Sequence, residues 1–165
     1  MNKSTLQLIR LVMILVGCLF LLAGSFFYQQ HKQQKEKMLY ARKMQKIYLV
    51  IKEQSIAAQK MMANQSEWRA TLSVQSEEVV KTMEDEMETC QVMLADLPAP
   101  PESMLKEYSA LLDVHIAYKQ YMNLAIDLQE VSSSFVNTEK KLKSELNTRL
   151  SDFDEMTHDQ QEEKG

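Results

Sequence analysis

Few side chains in this 165-residue chain can do more than pack: three His, two Cys and one dense run of carboxylates. Metal binding is the first chemistry to weigh. Glu155 and His158 form a Glu-x-x-His half-motif. A di-iron bundle needs two such motifs and two further Glu. The residue three before His115 is Leu112, and the one three before His31 is Tyr28, so the second half-motif is missing. There is no Cys-x-x-Cys and no His-Glu-x-x-His, which removes the common zinc patterns. Glu84-Asp85-Glu86, with Glu88, lacks the spacing and glycine of a calcium loop and reads as a solvated helix face. Asn64-Gln65-Ser66 is a formal glycosylation triplet that matters only in a eukaryotic secretory protein.

His115 stands out. It falls on an apolar stripe between Leu111 and Tyr118, with Tyr108 a turn or two earlier and Met122 later. A histidine on such a face titrates near neutral pH and could sense protons or hold a ligand. His115, Tyr108, Tyr118 and Met122 are therefore the candidate ligand or pH-sensing pocket, against the plainer reading of a hydrogen-bonded interfacial histidine. Nucleophilic catalysis finds no support. Cys90 lies on an apolar face, where a thiol acts as a small hydrophobe. Cys18 lies in an apolar run, and no nucleophile elbow surrounds any serine. The expectation is a protein without catalytic residues, metal or cofactor.

The elements that carry these residues must be helices. Only 3 Gly and 3 Pro occur, too few to mark the frequent turns of a sheet-rich fold or to build a phosphate loop. Neither residue occurs between Ser25 and Leu97, nor between Glu102 and Lys164. Pro98-Ala99-Pro100-Pro101 interrupts the chain, because proline lacks an N–H and disfavours helix in the residue before it. Apolar stripes at helical spacing fill both arms. Tyr40, Met44, Ile47, Ile51, Ala58 and Met61 form the first, with Gln54 in the vacant position. Trp68, Leu72, Val79, Met83, Met87, Cys90, Leu94 and Leu97 form the second. Met104, Tyr108, Leu111, His115, Tyr118, Met122 and Ala125 form the third, widened by Leu105, Leu112 and Ile126. Leu142, Leu146, Leu150, Phe153 and Met156 form the last. Asn64-Gln65-Ser66-Glu67 has the form of a capping box, and Ser132-Ser133-Ser134 is the softest point of the second arm. With both breaks, helices fall near 30–63, 66–97, 102–131 and 135–158. The expected fold is all-α, a helical hairpin or a three- or four-helix bundle, with the compact bundle favoured. Twelve Met leave its core adaptable.

Ahead of this body, residues 11–28 carry no charge and follow Arg10. As a helix they extend about 27 Å, near the hydrocarbon thickness of a bilayer. The expected layout is a short basic tail at 1–10, a transmembrane anchor at 11–28 and a helical body at 29–165 with a polar tail from about 158. Two rivals compete with the anchor. Ala23-Gly24-Ser25 suits cleavage of a secretory signal, and Leu15-Val16-Gly17-Cys18 has the form of a lipobox, making Cys18 a candidate lipidation site. Orientation is contested. The cations after the span would hold the body in the cytoplasm, whereas an N-terminal signal-like segment sends it across. The balance favours an extracytoplasmic body on a single-pass protein of the plasma (inner) membrane.

Charge is uneven. Residues 29–63 hold 8 Lys and Arg against 2 acids, and residues 64–165 hold 9 against 21. The basic part suits anionic headgroups, while the acidic remainder repels nucleic acid. In outline the chain resembles small membrane-anchored, extracytoplasmic helical proteins of bacteria, a compositional likeness that carries over no functional residue. The expected function is a non-enzymatic protein-interaction or scaffold module. It would contact lipid through residues 11–28, and a protein partner or a second copy through its helices. The alternative is an extracytoplasmic bundle that senses or carries a small apolar ligand.

Overall fold

A computed structural model describes the backbone of residues 3–63, 65–126 and 133–162, and the side chains of residues 21, 24–63, 78–126 and 134–157. Among the described residues the chain is helical, with no strand. The helices are α1 (Lys3–Ala63), α2 (Gln65–Ala95), α3 (Leu105–Ile126) and α4 (Ser133–Glu162), with a short 3₁₀ turn at Glu102–Met104 before α3. The expected breaks fall on Asn64 and on residues up to Ser132, which lie outside the described residues; Ser133 and Ser134 already belong to α4. The capping box itself, Trp68, Leu72 and Ser132 lie outside the residues described in side-chain detail.

The chain divides into two compact units, Met1–Leu39 and Tyr40–Gly165. In the first, the described apolar side chains Leu21, Phe26, Phe27 and Tyr28 are exposed. Phe26 and Phe27 meet edge to face at 6.4 Å, and Lys32 sits 3.9 Å from Glu36 one helical turn on. No helix among the described residues is long and apolar enough to cross a membrane. Most of the expected span at 11–28, Cys18 included, lies outside the residues described in side-chain detail.

The second unit is a four-helix bundle. Tyr121 of α3 reaches Glu139 of α4, and Asp113 of α3 lies 4.0 Å from Arg149 of α4, so these helices run antiparallel. Lys52 meets Asp154, and Gln59 meets Asn147, so α1 also runs against α4. Tyr40 abuts Tyr108, and Gln54 binds Tyr118, so α1 and α3 run the same way. Leu94 and Gln91 of α2 face Leu112 and His115 of α3, completing an up-down-up-down arrangement of the kind short connections favour.

The connection at 96–104 works without a left-handed residue, since no described residue has a positive φ. Asp96 N–H bonds the Val92 carbonyl at 2.9 Å, Leu97 N–H tightens onto Leu94 at 3.2 Å, and Pro98 stops further winding. Pro101, extended at φ −56° and ψ 142°, accepts the Met104 N–H at 2.8 Å and starts the next helical turn.

All four helices feed one core. Tyr48, Ile51, Leu111, Tyr118, Tyr121, Leu146 and Phe153 are fully buried there. Each large side chain so placed contributes about 1.5–3 kcal/mol. Five Met are buried as well: Met44, Met62, Met83, Met104 and Met122. The first, second and last stripes lie where their spacing put them, apart from residues outside the described set. The third is largely buried too, with Met104, Leu111, Tyr118, Met122 and Ala125 in the core and Tyr108 half-buried, but its buried face is wider than the stripe. Glu107, Val114, Ala117 and Tyr121 are buried, His115 is only half-buried, and Leu105 points outward at 54% exposure. Met62 replaces the expected Met61 as the buried end of the first stripe.

Candidate functional site

The four residues of the expected pocket do not converge on one cavity. Met122 is sealed in the core. Tyr108 is half-buried at the far end of α3, its ring edge-on to Tyr40 at 6.4 Å. Tyr118 is fully buried and faces α1 and α2. His115 alone lines an open depression of ≈ 490 Å³ between α2 and α3, bordered by Gln91, Leu94, Leu112, Ile116, Lys119, Gln120 and Asn123. Its ring lies 6.4 Å from that of Tyr118, tilted by 38°. Burial lowers the His115 pKa, and the neighbouring Lys119 lowers it further, so the imidazole is neutral at pH 7. A small apolar ligand would meet a shallow surface there, with Lys119 and three amides at its edge.

The chemistry gathers instead around Gln54, which stands in the gap of the first stripe. Its Oε1 accepts the Tyr118 hydroxyl at 2.5 Å and the Cys90 thiol at 3.3 Å. One amide oxygen thus joins α1, α2 and α3 inside the core. Burial pushes the Tyr118 hydroxyl far up, with Cys90 and Glu86 adding to it. Burial also pushes the Cys90 thiol up, the hydrogen bond with Tyr118 acting against this and Glu86 with it. The half-buried Glu86 carboxyl is itself raised by burial. A thiol held protonated is a poor nucleophile and a poor metal ligand. The cluster ties α1, α2 and α3 together in one register.

A second clasp holds α1 to α4. The Tyr48 hydroxyl donates to the Leu150 carbonyl at 3.1 Å, and its ring stacks on Phe153 at 4.6 Å and 27°. Lys52 bonds Asp154 at 2.7 Å while its ammonium lies 5.3 Å above the Tyr48 ring. Burial raises the Tyr48 hydroxyl, and Asp154 raises it further. Between α3 and α4, Tyr121 donates to Glu139 at 3.3 Å. Spacing alone did not mark Tyr48 or Tyr121 as core residues. Each adjoins a stripe residue, Ile47 or Met122, which was the available sign.

Among the described residues, no three His, Cys, Asp or Glu side chains gather where a metal ion could sit. Glu84, Asp85 and Glu88 are exposed on α2. The His158 side chain lies outside the described set. Comparison with family models, with curated proteins and with solved structures gives no match.

Proposed function

We propose that the chain is a single-pass membrane protein whose helical bundle acts as a non-enzymatic protein-interaction or scaffold module. The apolar run at 11–28 supports the anchor, and the exposed Leu21, Phe26, Phe27 and Tyr28 at its end suit a lipid environment. The body would lie on the extracytoplasmic side of the plasma (inner) membrane. The observation that carries the interaction role is the contrast between inside and outside. Gln54, Tyr118 and Cys90 bind one another inside the core, while Leu49, Ile56, Val92 and Ile116 stand exposed on the outer faces of α1, α2 and α3. Exposed apolar residues on an otherwise closed bundle are the material of a contact surface. Cross-linking in intact membranes, followed by identification of the captured species, tests this reading. Capture of a protein that depends on the bundle surface supports it, and recovery of uncross-linked chain alone opposes it.

A further inference from the structure

Within the unit Met1–Leu39, the side chains of residues 25–39 are all exposed. Three kinds of residue follow one another there along α1. Phe26, Phe27 and Tyr28 end the uncharged run. Residues 29–37 then include no apolar side chain, and they hold Lys32, Lys35 and Lys37. Glu36 is the one acid in the sequence before Glu53. It lies 3.9 Å from Lys32, with both side chains well exposed. Among the described residues Lys35 and Lys37 have no ion-pair partner.

Consecutive residues of an α-helix project about 100° apart, so the three aromatic rings spread over more than half of the circumference. Lys35 and Lys37 project about 160° apart, on nearly opposite sides. A partner helix covers one stripe and packs on apolar residues every three or four positions, and residues 29–37 offer it none. A bilayer interface surrounds a helix instead, and it takes apolar residues, aromatic rings and cations in this order of depth. We propose that residues 26–37 sit in such an interface and that Lys32, Lys35 and Lys37 bind the phosphate groups of anionic lipid. This rests on the anchor reading above and names the lipid class that the segment recognises. At about 1.5 Å per residue Lys32 lies about 6 Å beyond Tyr28, within a headgroup layer about 5–7 Å deep. Lys35 and Lys37 start about 10 and 14 Å beyond Tyr28. Helical side chains tilt toward the N-terminus, which here means back toward the apolar run, and the long Lys stems carry their ammonium groups to the headgroups.

The test uses the full chain reconstituted in vesicles of phosphatidylcholine with a minor share of phosphatidylglycerol. Spin-labelled lipid of each kind reports how much of it is slowed by contact with the protein. The anionic lipid should be slowed preferentially, by at least about threefold at low salt, and the preference should shrink as salt screens the lysines. Lys32→Gln, Lys35→Gln and Lys37→Gln together should bring the preference close to none, and the same three positions changed to Arg should keep it. Lys60→Gln, Lys140→Gln and Lys141→Gln remove the same charge elsewhere and should leave it unchanged. A preference that survives the first triple change, is lost with Arg, or is lost in the distant variant would overturn the assignment. A parent chain that resists carbonate extraction yet slows both lipids equally defeats this inference alone. A chain that carbonate strips away, slowing neither lipid, defeats the anchor reading along with it.

Discussion

Gln54 shows how much one side chain does at the meeting of three helices. Its single oxygen serves two buried donors, Tyr118 and Cys90. Gln54→Leu keeps the volume and removes the acceptor, leaving both donors unsatisfied at a cost of about 1–3 kcal/mol each. Thermal melting should show the loss, and adding Tyr118→Phe should recover part of it, because the stranded hydroxyl is gone. The buried tyrosines also fix an alkaline limit. Tyr48, Tyr118 and Tyr121 are held protonated above their ordinary value of 10.0. The unfolded chain releases those protons first, so their contribution is complete below pH 10 and falls as the pH rises beyond it. Chemical denaturation between pH 9 and 11 should show stability dropping, with a shallower drop in Tyr48→Phe. His115 acts in the opposite direction. Its pKa is lowered from 6.5, so the unfolded chain gains a proton that the fold resists, and stability declines as the pH falls below that value. His115→Gln should flatten the melting temperature between pH 7 and 5.

Helix α3 gives the sharpest comparison between neighbouring positions of one element. Leu111 is wholly buried and Leu105 is 54% exposed, although periodicity set both on the core side. Leu111→Asp buries an unpaired carboxylate and should destabilise by about 3 kcal/mol or more, whereas Leu105→Asp should stay within about 0.5 kcal/mol. Equal effects on the urea midpoint would show that the face has been misassigned. The ends of the helices were more legible than the width of their buried faces. Pro98-Ala99-Pro100-Pro101 marked the end of α2 and the start of the next helical turn because proline acts locally on the backbone. Width depends on partners, and α3 is apolar around much of its circumference, with Leu111, Leu112, Val114, Ile116 and Ala117 in seven positions. The buried face is wider than the expected stripe, taking in Val114, Ala117 and Tyr121 beside Leu111, Tyr118 and Met122, and only packing against the neighbouring helices sets that width. The same limit applies to the expected pocket. Sequence could set His115, Tyr108, Tyr118 and Met122 on one helix, but not decide that Tyr118 turns toward Gln54 while His115 turns toward α2. Gln54 was visible as a gap in a stripe; that the gap held an acceptor for two other helices was not.

For the whole chain, the anchor and the bundle make separable claims. Deleting residues 11–28 should abolish carbonate-resistant membrane association while leaving the circular dichroism of the bundle strongly helical. Full-length protein recovered soluble with a mature end near Phe26 would instead show that the segment is a cleaved signal. The order in which the bundle assembles follows from the sequence distance its clasps must close. Tyr121 and Glu139 are 18 residues apart, whereas Tyr48 and Leu150 are 102 apart. The entropy of closing a loop grows with its length, so the hairpin of α3 and α4 is the natural early structure and the α1 clasp a late one. Tyr48→Phe should accordingly speed unfolding and leave the refolding rate almost unchanged. On the ribosome the consequence is sharper. The part of α1 that packs on α4 emerges first and stays uncovered until about a hundred further residues have been made. At about 5–20 residues per second, that is an interval of at least several seconds in which a chaperone, or a neighbouring nascent chain, competes for Tyr48, Ile51 and their neighbours.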